Sequence, residues 1–394
     1  MVAVFSAIRK PMRIFAVVAS FLTLAACNAT LPVPGGGTGQ GMDRSAAVPV
    51  ALLVPHGSGS PDEQKLARDL ENAARLAVAD LGNVKIDLRV YGTAGNAAQA
   101  QQSALNAAAD GARIIVGPLH AESANAVAVV MEPKNINVLA FSNNPTIAGG
   151  NLFVMGQTFR NTADRLMRYA VGQGRDRILT VHSNNLAGRL GKDAIAGAIA
   201  ATGATPAGSV AYEFSQQGVV NTIPRIKTMA ETNSANAIFM TANAAGALPL
   251  FTQMLPEAGL SPEDTQYIGL ARWDTPRQTL DLPGVQGGWF ALPDPARSAQ
   301  FRSRFEAANG EAPHALAGLS YDAIAAIGAL AQSGRNDALS RTSLTQQAGF
   351  QGVNGVFRLR EDGTTERGLA VATIRDRQVV ILSPAPQSFG RAGL

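Results

Sequence analysis

Residues 48–54 read VPVALLV, residues 60–82 read SPDEQKLARDLENAARLAVADLG, and residues 84–91 read VKIDLRVY. The first is an apolar run that predicts a strand. In the second, Ser60 stands as an N-cap, Pro61 takes the first helical position and Glu63 follows three after the cap. Leu66, Leu70, Ala73, Ala74, Ala77 and Leu81 then recur at helical spacing, and Gly82 ends the run. In the third, Val84, Ile86, Leu88 and Val90 alternate with Lys85, Asp87, Arg89 and Tyr91, which predicts a half-buried strand.

The alternation continues outward from this unit. Patterning predicts helices over 97–109 and 123–131 and strands over 113–116 and 137–141. A second series begins near Asn161: helices over 162–173, 189–201, 222–231 and 247–258, with strands over 177–182, 208–214, 237–241 and 266–270. After a strand over 288–292 come helices over 296–308, 316–332 and 337–346. Strands over 356–359 and 369–374 flank the turn Glu361-Asp362-Gly363 and predict a hairpin. Strands alternating with helices imply an α/β fold of mainly parallel sheets with right-handed crossovers, and two series imply two lobes. In such sheets ligands sit beyond the carboxyl ends of the strands. The loops at those ends are 56–60, 117–123, 142–145, 183–188, 242–246 and 271–276, and all are short and polar or small.

Composition narrows the class. Glycine is abundant at 40 residues and aromatics make up only 6%, which suits closely packed α/β layers better than a β-sandwich. The chain carries 33 Lys and Arg against 29 Asp and Glu. Without Arg9, Lys10 and Arg13 the balance is 30 against 29, so the remainder is close to neutral. No clustered basic stripe argues for a nucleic-acid partner.

Those three basic residues open a segment with the parts of a secretory signal: an apolar run over 14–24 and the small residues Ala25 and Ala26. The run is too short to span a bilayer, which takes about 20 residues. Leu24-Ala25-Ala26-Cys27 resembles the lipobox of bacterial lipoproteins, which implies cleavage after residue 26 and a lipid on Cys27. The alternative is an ordinary signal peptide with a chance cysteine. Cys27 is the one cysteine of the chain and forms no internal disulfide. Asn28, where an aspartate would signal retention at the inner membrane, favours the outer membrane. Residues 28–47 are rich in Gly and Pro and read as a flexible tether with a reach of roughly 25 Å.

Over residues 48–384 the pattern resembles the type 1 periplasmic binding proteins, in the branch of the leucine/isoleucine/valine receptors. The residues that carry this are Val50-Ala51-Leu52-Leu53-Val54-Pro55, Ile114-Ile115-Val116-Gly117-Pro118 and Ser142-Asn143-Asn144-Pro145, in that order and spacing. The resemblance implies discontinuous lobes, one of 48–157 plus 293–345 and the other of 158–292 plus 346–394, joined by three crossing strands as a hinge. It also implies a cleft in which hydroxyl groups hold an amino-acid carboxylate and a second-lobe acid holds the ammonium. Here the matching positions carry Ala121 and Asn143 on the carboxylate side, with Ala271 in place of the acid and Asn243 in place of an aromatic. Burying an ammonium without an anionic partner costs several kcal/mol. Asp274 replaces the lost acid only if its loop is rearranged, so binding of free α-amino acids in the usual way is not expected. The remaining candidate cleft residues are Ser58, His120, Ser142, Asn144, Asn184, Arg272 and Trp273. Trp273 would stack on a ring or sugar and Arg272 would pair with an anion; the alternative packs Trp273 between the lobes and leaves Arg272 solvated.

No catalytic constellation accompanies this set. The four histidines form no H-E-x-x-H. His120-Ala121-Glu122 lacks the paired cysteines of a zinc deaminase, and no G-x-S-x-G elbow or P-loop is present. The expectation is therefore no enzyme, no metal and no cofactor. Ile268-Gly269-Leu270-Ala271-Arg272-Trp273-Asp274, with the anchor and tether, resembles lipoproteins of this fold described as penicillin-binding-protein activators. That resemblance implies a periplasmic, membrane-anchored regulator of cell-wall synthases. The alternative is a receptor that delivers a small polar ligand to an ABC permease.

Overall fold

The structure, a computed structural model, describes residues 46–390. The expected signal peptide, Cys27 and nearly all of the tether lie outside the described residues. Among the described residues no helix is long and apolar enough to cross a membrane.

The first sheet is wholly parallel, in the order β2-β1-β3-β4-β5. Its strands are β1 (Val48–Val54), β2 (Ile86–Gly92), β3 (Ile114–Val116), β4 (Asn137–Ala140) and β5 (Leu152–Val154). The unbroken apolar run of β1 follows from its covered faces: Val50 and Leu52 pack with one cluster, Ala51 and Leu53 with another. The first cluster takes in α1 (Pro61–Asp80) and α9 (Ala317–Gln332); the second takes in α2 (Ala97–Ala109) and α3 (Ala121–Met131). Edge strand β2 is only partly buried, in keeping with its alternation. Ser60 caps α1 as its sequence predicts, accepting from the Glu63 N–H at 3.4 Å.

The second sheet runs β15-β14-β10-β9-β8-β6-β7. The strands β6 (Arg177–Ser183), β7 (Thr205–Tyr212), β8 (Ala237–Met240), β9 (Gln266–Gly269) and β10 (Trp289–Leu292) are parallel. An antiparallel pair, β14 (Ala370–Arg375) and β15 (Gln378–Ser383), extends it. One face is covered by α4 (Phe159–Gly172) and α5 (Leu186–Thr202), the other by α6 (Gln216–Thr232) and α7 (Leu248–Glu257). The helix α8 (Pro295–Asn309), the single turn α10 (Arg341–Leu344) and a small antiparallel sheet of β11 (Phe350–Gly352), β12 (Gly355–Leu359) and β13 (Thr365–Arg367) complete the α-helices and strands of the described residues.

Five expectations are corrected. The turn at Asp362-Gly363 joins β12 to β13, whereas the strand over 369–374 belongs to the second sheet, so the expected hairpin is divided between two sheets. The helix expected from 222 starts at Gln216, because Ser215 caps it by accepting from the Gly218 N–H at 3.0 Å and Pro224 is tolerated inside it. Asn185 likewise starts α5 three residues before its expected position, accepting from the Gly188 N–H at 2.8 Å. The helix expected over 337–346 shrinks to one turn behind the cap Ser340. Phe350, Phe357 and Leu359 lie beyond the lobe boundary expected at 346, yet they pack with Leu319 and Ile324 in the core of the first sheet.

The chain passes between the two large sheets at 155–158, 293–294 and 368–369. A buried ion pair joins the first and third passages. Arg367 Nη1 donates to Asp322 Oδ2 at 2.9 Å, while its Nε and Nη2 donate to the Met155 carbonyl at 3.1 and 2.7 Å. Asp322 Oδ1 accepts from the Val353 N–H at 2.8 Å, and the two side chains are 5% and 0% exposed. Burial pushes the Asp322 carboxyl up, while Arg367 and the Val353 N–H pull against it. Asp322→Ala strands Arg367 without its counter-charge and is expected to cost about 3–5 kcal/mol in urea unfolding. Replacing both partners together, Asp322→Leu with Arg367→Met, should recover most of that loss. A single substitution that unfolds like the parent would refute the role assigned to the pair.

At the second passage Asp294 caps α8. It accepts from the N–H groups of Ala296 at 3.0 Å and Arg297 at 3.2 Å, and from Gln387 Nε2 at 3.0 Å. Burial works against its charge, but the Arg297 N–H, Gln387 and the Ala296 N–H outweigh it and hold the carboxyl below the ordinary 3.8. Its contribution to stability is therefore full above pH 3.8 and is lost as the pH falls from there through the depressed folded value. Asp294→Asn should flatten this part of the acid-unfolding curve, followed by circular dichroism. An acid limb identical to the parent's would show that the group contributes nothing there.

Candidate functional site

The loops beyond the strand ends of the first sheet are closed by short-range bonds. Ser58 Oγ accepts from the Ser60 N–H at 3.1 Å, and its carbonyl accepts from Gln64 Nε2 at 2.6 Å. His120, at the N-cap of α3, has Nε2 3.0 Å from Glu63 Oε1 on α1. Ser142 is buried and accepts from the Asn144 N–H at 3.1 Å, while Asn144 Oδ1 accepts from the Thr146 N–H at 3.0 Å. Ala121 is half-buried and Asn143 exposed. Gly156, in the first passage between sheets, lies so close to Asn143 that a Cβ would come within 2.9 Å of the Asn143 Cα. These residues share one end of the first sheet, yet they line none of the three cavities described next.

Beyond the strand ends of the second sheet lies a cavity of about 160 Å³. It brings Asn243 and Ala271 together, as their loops predict, with Ser183 and three aromatic residues: Phe159, Tyr212 and Phe214. No Asp, Glu, Lys or Arg lines it. Burial pushes the Tyr212 phenol up, so it presents a neutral hydroxyl. Phe214 also walls a neighbouring cavity of about 270 Å³ with Gly246 and Leu250. Sequence patterning did not single out Phe159, which precedes the expected helix, or Phe214, which closes the strand expected over 208–214 but lies beyond its actual end at Tyr212; they are 39% and 59% exposed. Asn184 is exposed and lines none of these cavities.

A further cavity of about 240 Å³ opens where the chain passes between sheets. Gln157 and Arg367 come from the passages, Arg272 from the loop after β9, Arg302 from α8, and His314 and Leu316 from the approach to α9. Arg272 grips Asp274 with two bonds, Nε to Oδ1 at 2.9 Å and Nη2 to Oδ2 at 2.6 Å. Asp274 is therefore a partner of Arg272 and does not stand as a free acid for an ammonium. Trp273, expected to face a ligand, is fully buried in the core of the second sheet. Its ring fills the space left by two glycines: a Cβ at Gly269 would lie 2.2 Å from Nε1, and one at Gly288 2.1 Å from Cζ3. It has no free face for stacking. Arg302 and His314 gave no signal in the sequence, since the helix and loop that carry them read as ordinary surface.

Comparison with known proteins agrees with this geometry. The sequence profile described as periplasmic binding protein matches residues 47–378. A branched-chain amino acid ABC transporter periplasmic ligand-binding protein from Burkholderia xenovorans LB400 is similar over 86% of this chain and 96% of its own, with a TM-score of 0.66 and 18% identity. An ABC transporter substrate-binding protein from Desulfitobacterium hafniense, solved in complex with Leu, is similar over 86% of this chain and 100% of its own, with a TM-score of 0.60 and 16% identity. A solute-binding protein of an ABC transporter from Rhodopseudomonas palustris BisB5, solved with 3,4-dihydroxybenzoic acid, has a TM-score of 0.54 and 15% identity over 86% of this chain and 98% of its own. A search of curated protein sequences finds no match. These likenesses in structure show a two-lobed type 1 fold, and with a profile match over most of the length they lead to one conclusion: the chain belongs to the periplasmic binding protein family.

Proposed function

We propose that the protein is the solute-binding component of an ABC importer, holding a small solute between its lobes for delivery to a permease. The observation that carries this is the uncharged, aromatic-walled cavity at the strand ends of the second sheet, the position where open α/β sheets bind ligands. The three relatives described above are named for transport or solute binding and none for cell-wall synthesis, so the regulator of synthases expected from the sequence gives way to its alternative. Ala271 and the absence of a carboxylate around the cavity argue against a free amino acid as the solute. The relative that holds 3,4-dihydroxybenzoic acid supports a ligand without an ammonium group. A lipid on Cys27 and a periplasmic location fit this role. Delivery to a permease requires the anchor to sit in the inner membrane, because a tether of roughly 25 Å does not bridge the periplasm; this sets aside the preference drawn from Asn28.

Thermal unfolding of the full-length protein in detergent, against leucine, aromatic acids, branched aliphatic acids and sugars, tests the reading. A bound solute at a hundred times its Kd stabilises by about 2.7 kcal/mol. An acid or neutral solute is expected to raise the Tm and leucine to leave it unchanged. No shift with any solute, together with capture of a cell-wall synthase, would restore the regulator.

A further inference from the structure

We propose that the protein pairs with a second copy of itself through β15, an outer strand of the second sheet, so that two seven-stranded sheets become one. The two large sheets end in four outer strands, β2, β5, β7 and β15. Three of these are guarded against further pairing. β2 carries Asp87 and Arg89, and Arg89 Nη1 donates to the Asp110 carbonyl at 2.6 Å. β5 is covered by the turn of the small sheet, its Val154 N–H donating to the Gly363 carbonyl at 2.9 Å. β7 contains Pro206, which has no N–H, and its register shifts close by; Asn233 Nδ2 donates to its Ala207 carbonyl at 2.9 Å. Charges, prolines, irregularities and covering loops are what keep sheet edges from joining. β15 has none of them. Gln378–Ser383 reads QVVILS, without charge or proline, and no helix or further strand among the described residues runs along its outer side. Ile381 is 41% exposed there.

This edge is complementary to itself. Asp376 and Arg377, at φ 50° and 60°, make the two-residue turn that leads from β14 into β15. Pairing with β14 therefore uses the backbone of Gln378 and Val380, opposite Arg375 and Thr373. The Ile374 carbonyl accepts from the Gly287 N–H at 2.8 Å on the far side of β14, in step with the same alternation. Val379 and Ile381 thus turn their N–H and C=O groups to the open edge. A two-fold axis at Val380 sets Val379 of each copy opposite Ile381 of the other, and each such pair exchanges both hydrogen bonds. Aliphatic side chains then meet aliphatic side chains across the join, with Val380 facing its own counterpart. Charge selects this antiparallel arrangement. It places Arg377 beside Ser383 of the second copy, where Pro384 ends the ladder. A parallel arrangement in register would set Arg377 against Arg377. Six residues make a small contact, so the dimer is of the weak, exchanging kind.

The test is cysteine cross-linking of the full-length chain in detergent, with Cys27→Ser so that an introduced cysteine is the one thiol. Val380→Cys should give a disulfide-linked dimer on mild oxidation, because directly opposed residues of a non-hydrogen-bonded pair have Cα atoms about 4.5 Å apart. Ile381→Cys is out of register with its own counterpart and should give far less. So should Val129→Cys on α3, a position 61% exposed and away from the edge. In sedimentation the Cys27→Ser chain should pass from monomer to dimer as its concentration rises. Ile381→Lys should weaken that dimer about tenfold or more, with circular dichroism unchanged. A chain that stays monomeric, with Val380→Cys cross-linking no more than Val129→Cys, overturns the inference. So does cross-linking through Ile381→Cys as strong as through Val380→Cys, or a dimer indifferent to Ile381→Lys. The solute-binding reading stands or falls separately.

Discussion

Asp322 and Arg367 are removed from water and face one another where the chain changes sheets. A pair so placed loses hydration on both sides and recovers it only through good geometry. Here the geometry is supplied by backbone: the Met155 carbonyl for two guanidinium donors and the Val353 N–H for the second carboxylate oxygen. The pair thus ties a helix of the first lobe, the exit from β13 and the exit from β5 to one point. Asn161 and Arg165 of α4 reach the same region through the carbonyls of Thr365 and Leu369. The relative placement of the two sheets depends on this polar knot, because the apolar clusters close over each sheet separately.

The central strands were legible because burial on both faces leaves a continuous apolar run, and β1 and β8 show it. Capped helices were legible where the cap precedes a clean period, as at Ser60. Legibility failed where one residue type serves two readings. Pro224 suggests a helix start, yet it lies in the ninth position of α6, behind the cap at Ser215. The stretch 364–375 contains two strands, and nothing in its alternation marks the sheet to which each belongs. That choice is made by long-range pairing with β10 and by the anchoring of Arg367.

The candidate site was legible by loop but not by side chain. Asn243 and Ala271 meet in one cavity because both follow adjacent parallel strands, a consequence of topology that the sequence carries. Whether a side chain points to solvent or inward is decided by neighbours distant in the chain. Trp273 illustrates this: its loop was found, but the glycines that receive its ring sit at 269 and 288. Arg302 lies on a helix whose exposed face holds other charges, and only the approach of the loop before α9 distinguishes it.

The burial of Trp273 has a mechanical meaning. Its indole is held between backbone at Gly269, the end of β9, and Gly288, the approach to β10. Arg272 and Asp274 are its immediate neighbours, so the pair is mounted on a rigid pin instead of a free loop. Through the ring, the loop of Arg272 packs against the approach to β10, which runs directly into the passage at Pro293 and Asp294.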